Sequence, residues 1–275
     1  MLKIISLSDL ANLEDLVDEA TLERIVFGGV ERLECLEGFD LISFDWYNIF
    51  DKELKSSQLI IYFTKKNLFF ICENEECLDM VQRKVKDFSI TEKILSAFFI
   101  ELLKSDMEYL ETLEDDIFEF EDVLLMKSKI QCAQDLISFR RILSKLKRYY
   151  EQLNSIIEEL IENENDLISN DHIKYFKVVD NRVDRLFLVV LHMQDYVSQV
   201  REAYQAQVDI EQNRLMKVFT VITSIFLPLT LIVGWYGMNL KMPEYKWDYG
   251  YLFVIIISLV VFVISIMIFK KKEWF

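Results

Sequence analysis

Two uninterrupted runs of uncharged residues dominate the hydrophobic pattern of this chain. They extend over 218–240 and 249–269, close to the C-terminus. At 1.5 Å of rise per residue the first run would form a helix about 35 Å long, enough for a bilayer core of roughly 30 Å. The pattern predicts two membrane-spanning helices joined by a short extracellular loop at 241–248. A buried hairpin in a soluble protein is the alternative, but adjacent charge-free runs of this length are typical of membrane proteins.

Basic residues beside the two runs predict their orientation, because lysine and arginine resist translocation. The residues that flank the outer ends of the hairpin are Arg214, Lys217, Lys270, Lys271 and Lys272. The loop carries two lysines, which two acidic residues offset. We therefore expect a multi-pass protein of the plasma or inner membrane with both termini in the cytoplasm.

One face of the first run is small or hydroxylated. Positions three and four apart share a helix face, and the row on this face is Asn213, Met216, Thr220, Thr223, Leu227, Thr230, Gly234 and Gly237. Larger apolar residues lie off it, namely Val221, Ile225, Leu229, Ile232 and Trp235. Small and hydroxyl residues allow close helix packing in lipid, and they also suit the wall of a water-filled path.

The pattern upstream of the hairpin predicts long helices. No glycine occurs between Gly38 and Gly234, and Pro228 is the only proline there; both residue types weaken helix interiors. Ser89-Ile-Thr-Glu92 has the spacing of a capping box and predicts a helix start. Its apolar stripe extends to Leu124, and the rest of that helix is acidic. Residues 130–164 form a further amphipathic pattern with a basic middle, so we expect the two to form an antiparallel pair.

A regular stripe from Phe176 to Tyr204 repeats at alternating spacings of three and four, as in a coiled coil. It predicts one continuous helix from about Asp171 to Gly237, on the order of 100 Å long.

The first 88 residues predict a small α/β domain. Short runs rich in Ile, Val, Phe and Tyr are typical of strands, and they occur at 2–6, 24–27, 41–47, 58–64 and 67–72. Residues 8–19 and 77–87 have helical patterns. The predicted organisation is α/β and then mostly α: a cytosolic domain at 1–88, antiparallel helices at 89–168, a stalk that continues into the first span at 169–240, the loop at 241–248, the second span at 249–269 and a basic cytosolic tail at 270–275.

Composition narrows the function. A net charge of -15 and a pI near 4.7 argue against nucleic acid as a partner and favour multivalent cations. The chain begins without the pattern of a cleaved signal peptide. Its four cysteines fit packing roles in a reducing compartment. No nucleophile elbow, phosphate-binding glycine loop or catalytic triad is present in the sequence, so an enzyme is not expected.

The end of the first run carries a specific pattern. Tyr236-Gly237-Met238-Asn239 is followed by Met242-Pro243-Glu244, a last span and a lysine-rich tail that ends in Trp274-Phe275. In this position the pattern resembles the CorA-type magnesium channel family. The detailed similarity covers about the last sixty residues, and upstream of them only the overall plan agrees.

The resemblance implies a funnel-shaped homopentamer whose first span lines a pore. Tyr236, Gly237, Met238 and Asn239 would form the selectivity filter, with Glu244 in the loop. The implied pore-lining residues are Asn213, Met216, Phe219, Thr220, Thr223, Leu227, Thr230 and Gly234. Lys270, Lys271 and Lys272 would form a basic ring near the acidic helix. The family often has a stalk aspartate that binds regulatory metal; Val178 occupies that position here, and Asp180 is the substitute.

The resemblance implies Mg²⁺ as the transported ion and as a possible regulatory ligand, moved inward by the membrane potential. Co²⁺, Ni²⁺ or Zn²⁺ are the alternatives, but no thiol or imidazole cluster near the pore favours a softer metal. A membrane-anchored coiled-coil scaffold that does not conduct is the alternative from another class. It explains the long helices and gives no reason for the Gly-Met-Asn sequence.

Overall fold

The computed structural model describes residues 1–13, 16–26, 32–49, 51, 54–86, 88–126, 129–238 and 247–271. The chain forms two compact units, Met1–Arg201 and Glu202–Phe275. The division falls within one long helix. The narrower domain bounds expected from the sequence stay predictions.

The first unit contains a five-stranded sheet. Its strands are β1 (Leu2–Ser6), β2 (Leu33–Leu36), β3 (Phe39–Tyr47), β4 (Ser56–Phe63) and β5 (Leu68–Cys72), in the order β1-β5-β4-β3-β2. β1 pairs with β5 in parallel, and the other pairs are antiparallel. Four of the five predicted strands are confirmed.

The strand predicted at 24–27 is wrong, since Glu19–Val26 forms a helix, α1. The Asp18 carboxylate accepts hydrogen bonds from the backbone N–H and the hydroxyl of Thr21, as a helix N-cap does. Thr21 and Ile25, one helical turn apart, are buried. The predicted helix at 8–19 is instead a 3-10 helix, Leu7–Leu13. β2, which the pattern missed, pairs with β3 through the tight turn at Gly38.

Both faces of the sheet are covered. Alternate residues on one face, including Leu41, Ile60 and Phe69, pack with Leu13 and Ile25. The other face packs against α3 (Thr91–Leu102), where the ring centroids of Phe70 and Phe98 lie 4.8 Å apart and those of Phe44 and Phe99 lie 6.2 Å apart. Helix α2 (Glu75–Lys84) follows β5 and is capped by Asn74.

The acidic pattern expected to be one helix from 89 to 124 forms two. α3 ends at Leu102, and α4 (Asp106–Met126) begins after a short break. Lys84 Nζ donates to the carbonyl oxygens of Glu101 and Leu102 at 2.9 and 3.0 Å, so a lysine from α2 satisfies the end of α3. The antiparallel pairing of α4 with α5 (Lys129–Glu162) is confirmed, because Tyr150 contacts Asp106 near one end and Phe139 contacts Phe120 near the other.

The predicted capping box does not form. Ile90 is the N-cap of α3, and no side chain caps that end. Glu92 is 7% exposed and accepts hydrogen bonds from the backbone N–H and the hydroxyl of Ser169 at 2.6 and 2.8 Å. His172 Nδ1 lies 2.9 Å from the same carboxylate. Glu92 therefore supports the start of the longest helix, α6.

Helix α6 extends from Asn170 to Tyr236, and α7 from Gly250 to Lys271. The continuous helix expected over 171–237 is confirmed. Its stripe from Phe176 to Val200 is almost fully buried within a single copy of the chain. Partners come from the preceding helices: Phe118 of α4 packs on Tyr196, and Arg182 donates to the Ile100 carbonyl at 3.3 Å.

Candidate pore face and outer mouth

The residues predicted to line a pore lie on α6 within the second unit, and all of them are exposed: Asn213, Met216, Phe219, Thr220, Thr223, Leu227, Thr230 and Gly234. Residues on the other side of the helix differ. Val221 is 4% and Ile225 is 8% exposed, and Leu229 and Ile232 are half-buried. Within a single copy, the small and hydroxylated face of this helix is therefore uncovered, and the covered strip is centred on Val221 and Ile225.

This exposed face forms a groove of about 670 Å³. Its lining residues are Thr223, Phe226, Leu227, Thr230, Leu231, Gly234, Trp235 and Met238. Phe226 and Leu231 were missed by the sequence analysis, and Trp235 was placed off the face although it is 61% exposed. A row of positions three and four apart covers only the centre of a helix face. A wider face, which includes the positions on either side of this row, would have included Phe226, Leu231 and Trp235.

The threonine hydroxyls on this face share one hydrogen-bonding pattern. Those of Thr220, Thr223 and Thr230 each donate to the backbone carbonyl four residues earlier, at 2.8 Å. A hydroxyl has one proton to donate and two lone pairs to accept with. Because the proton is used within the helix, each hydroxyl faces its surroundings as a hydrogen-bond acceptor.

The C-terminal end of α6 is closed tightly at Gly237. Its backbone N–H donates to the Val233 carbonyl at 2.9 Å, and the N–H of Met238 donates to the Trp235 carbonyl at 3.4 Å. A Cβ at position 237 would lie 2.9 Å from the Val233 oxygen, so any larger residue must displace the backbone there. Asn239 and Glu244, both predicted at this mouth, lie outside the described residues.

Helix α7 faces the buried side of α6 across an apolar cavity of about 870 Å³, which Tyr236 also lines. At its start the ring of Trp247 lies 6.5 Å from Tyr249 and 5.6 Å from Phe253, measured between centroids. Such aromatic clusters are typical of membrane–water interfaces. Helices α6 and α7 are both long and apolar enough to cross a membrane.

Residues 5–271 match the model of the CorA-like Mg2+ transporter protein family. The chain belongs to this family. It is 29% identical over 254 residues to the "Cobalt/magnesium transport protein CorA" of Thermotoga maritima, an alignment that covers 88% of this chain and 72% of the relative. It is 27% identical to the "Magnesium transport protein CorA" of Haemophilus ducreyi, covering 95% of this chain and 74% of the relative. The matching "Magnesium transport protein CorA" of Helicobacter pylori is covered over 64% of its length.

Solved structures show the same fold as this CorA-like chain. "The complete structure of CorA magnesium transporter from Methanocaldococcus jannaschii" matches with a TM-score of 0.78 at 19% identity, covering 98% of this chain and 87% of that one. The full-length CmaX protein matches with a TM-score of 0.74 at 16% identity and the same coverage. The predicted architecture, an α/β domain followed by a long helix and an apolar C-terminal helix, is confirmed. With α6 and α7, family membership makes this a membrane protein.

The remaining predicted sites of the CorA-like chain are not among the residues of the exposed face. Lys270 and Lys271 are exposed in the last turn of α7, a favourable place for positive charge, and Lys272 lies outside the described residues. Asp180 Oδ1 is buried and has no hydrogen-bond partner within the described ranges of the chain. Burial and the nearby Asp184 and Glu158 carboxylates raise the pKa of Asp180. Among the residues that the structure describes, no three acidic, histidine or cysteine side chains are grouped to hold a metal.

Proposed function

We propose that this chain forms a channel for divalent cations, with Mg²⁺ as the transported ion, and that the exposed face of α6 lines the path. The observation that carries the proposal is the row of three threonine hydroxyls whose protons are all held by their own helix. Mg²⁺ gives up its water reluctantly, and the water molecules around a cation point their protons outward. A wall of acceptors therefore suits a hydrated Mg²⁺ ion.

The outer end of α6 supports the same conclusion. The last carbonyl groups of a helix point along its axis, and the C-terminal end carries a partial negative charge that favours cations. Gly237 allows close approach, because it has no side chain to shield its carbonyl oxygen. Asn239, next in the sequence after Met238, adds an amide oxygen at the entrance. Together these groups would select a hydrated divalent ion before it enters.

A path of this kind needs several copies of the chain. One helix cannot enclose water, and the apolar residues on its face are open: Met216 and Leu227 are each 64% and Phe219 is 63% exposed. We propose the homopentamer that the family resemblance implies. Rings of Met216, Phe219 and Leu227 would then narrow the path and close it by excluding water.

The driving force is electrical. With both termini cytoplasmic, as the basic residues at both ends of the hairpin predict, a divalent ion that enters the cell gains about 4.6 kcal/mol per 100 mV of inside-negative potential. Lys270, Lys271 and Lys272 would form a basic ring at the inner end. That ring and the exposed acidic face of α4 are the groups through which internal Mg²⁺ would act.

Cobalt is the second candidate ion, because the Thermotoga maritima relative is named a cobalt/magnesium transport protein. Ni²⁺ and Zn²⁺ are further candidates on the same chemistry. The exposed face of α6 offers oxygen ligands and, over its described residues, no cysteine or histidine. Oxygen donors favour Mg²⁺ over softer metals, so Mg²⁺ leads.

Asp180 is our proposed contact for regulatory Mg²⁺. Its unpaired Oδ1 and two neighbouring carboxylates would be stabilised by a divalent cation, which relieves their repulsion. One chain supplies too few ligands, so a second copy would have to complete the site. If Asp180 has this role, Asp180→Asn will weaken the inhibition of influx by Mg²⁺ on the cytoplasmic side; unchanged inhibition would exclude it.

The test is Mg²⁺ influx into proteoliposomes with an inside-negative potential. Thr230→Val keeps the shape of the side chain and removes its acceptor. A hydrogen bond contributes about 0.5–1.5 kcal/mol, so we expect influx to fall roughly two- to tenfold. Thr230→Ser should restore it. The matched control is Ser265→Ala, since the Ser265 hydroxyl also bonds its own helix, at 2.8 Å, but lies on α7.

Asn239→Ala in the same assay tests the proposed entrance. We expect a larger loss than for Thr230→Val, because the Asn239 amide oxygen belongs to the group that selects the hydrated ion before it enters. Running the wild-type protein with Co²⁺, Ni²⁺ and Zn²⁺ in place of Mg²⁺ ranks the ions. A wild-type protein with no influx of any of these ions would instead support the membrane-anchored scaffold.

A further inference from the structure

The basic middle of α5 is not used by the proposed channel. Helix α5 pairs with acidic α4, but four of its basic residues, Arg140, Arg141, Lys145 and Arg148, line a groove of about 860 Å³ on the α/β domain. The groove is bounded by the end of β3, the segment before β4 and one face of α5. Its lining residues are Tyr47, Leu54, Lys55, Ser56, Ile137, Arg140, Arg141, Ser144, Lys145 and Arg148.

Charge is concentrated in this groove. Among the described residues that line it, five are basic and none is acidic, in a chain whose net charge is -15. Arg140, Arg141 and Arg148 are exposed, and within the described part of the chain none of the three forms an ion pair. Like charges gathered in one concave site repel one another, and a concave site of one sign concentrates ions of the opposite sign. The groove is therefore suited to an anion.

The other lining groups narrow the class of anion. Tyr47, Ser56 and Ser144 add hydroxyl groups that can donate hydrogen bonds. Lys145 Nζ donates to the Leu54 carbonyl at 2.9 Å, and the Leu54 side chain is 1% exposed, so the rim is fixed to α5. Arginine binds phosphate with two parallel hydrogen bonds. A volume of about 860 Å³ lies within the roughly 300–1,000 Å³ of small-molecule sites.

We propose that this groove binds a polyphosphate anion, of the class that includes inorganic triphosphate and nucleoside triphosphates. This groove shares no lining residue with the exposed face of α6, and the binding that we propose does not depend on ion conduction. The exposed acidic face of α4 in a second copy is the other anionic surface that the chain offers. The groove favours a polyphosphate over the acidic face of a second copy. Its basic residues come from the segment before β4 as well as from α5, and they surround a concave site.

The experiment is a titration of the purified full-length chain, in detergent at physiological salt, followed by calorimetry. Inorganic triphosphate, ATP and inorganic phosphate are used as separate probes, each with and without Mg²⁺ because polyphosphates bind that ion. Saturable binding of triphosphate is expected in both conditions, with orthophosphate much weaker. If ATP binds more tightly than triphosphate, the groove also contacts the nucleoside. If ATP and triphosphate bind with equal affinity, the groove contacts only the phosphates.

The variant Arg141→Gln/Arg148→Gln is expected to weaken triphosphate binding roughly tenfold or more, since each arginine supplies charge-assisted hydrogen bonds. The matched control is Lys177→Gln/Arg185→Gln, which removes two exposed basic residues of α6 and should leave binding unchanged. Absence of saturable binding, or an equal loss in the control variant, would overturn the proposal. So would a change of oligomeric state in the groove variant without any polyphosphate binding, which would assign the groove to a second copy.

Discussion

Asp106 at the start of α4 gives a sharp test of the core of the first unit. Its side chain is buried, with the residue 3% exposed, and burial raises the pKa of the carboxyl to about 6 from 3.8. Three groups oppose that shift: the Tyr150 hydroxyl of α5, which donates to Oδ2 at 3.0 Å, Lys84 of α2 and Arg182 of α6. The perturbation is Asp106→Asn, which keeps the shape and the acceptor for Tyr150 but removes the buried charge.

The size and sign follow from proton linkage. A carboxyl whose pKa is raised in the folded state contributes stability that is fully present below the unfolded pKa and is lost as the pH rises through about 6. A shift of about two units corresponds to about 3 kcal/mol. We therefore expect Asp106→Asn to be more stable than the wild type by up to that amount at about pH 8. The difference should shrink below pH 6 and disappear below about pH 4.

The assay is thermal unfolding of the full chain in detergent, over a series of pH values. For a chain of this size each kcal/mol moves the Tm by roughly 2–4 °C, so the difference at high pH should be several degrees. Asp115→Asn is the matched control, because Asp115 lies on the same helix and is exposed. A variant less stable than the wild type at high pH, or a difference that does not change with pH, would refute the reasoning.

Two further substitutions test single contacts. Glu92→Ala removes the acceptor for both Ser169 groups and should cost about 1–3 kcal/mol, seen as faster hydrogen exchange in the first turn of α6; unchanged exchange would contradict the contact. Gly237→Ala should gain none of the roughly 0.5–1 kcal/mol that alanine usually adds to a helix, because its Cβ meets the Val233 carbonyl oxygen. Gly234→Ala, with open space, should gain it. Equal melting temperatures for the Gly237→Ala and Gly234→Ala variants would contradict the close approach of position 237 to the Val233 carbonyl oxygen.

Much of the fold could be predicted because its patterns are local. The two apolar runs, four strands and the long helix each depend on spacing along the chain. The errors arose where a side chain bonds to a distant part. Glu92 has the spacing of a capping box but accepts a hydrogen bond from Ser169. The break after Leu102 depends on a hydrogen bond from Lys84 of another helix. No local pattern shows either contact.

The candidate site divides in the same way. Helical spacing was enough to place Thr220, Thr223 and Thr230 on one exposed face. It could not show that their protons are already used, because that depends on the backbone of the folded helix. Sequence also could not show that Arg141 and its neighbours face the sheet instead of α4, since a charged stripe suits either partner.

The most direct test of the central claim is the reaction of single cysteines with a charged thiol reagent during Mg²⁺ influx. If the exposed face of α6 lines a water-filled path, the reagent will block influx through Thr230→Cys. It will leave influx unchanged through Ile225→Cys, on the buried side, and through the wild type, whose native cysteines serve as the control. Block at position 225 with no block at position 230 would contradict the account.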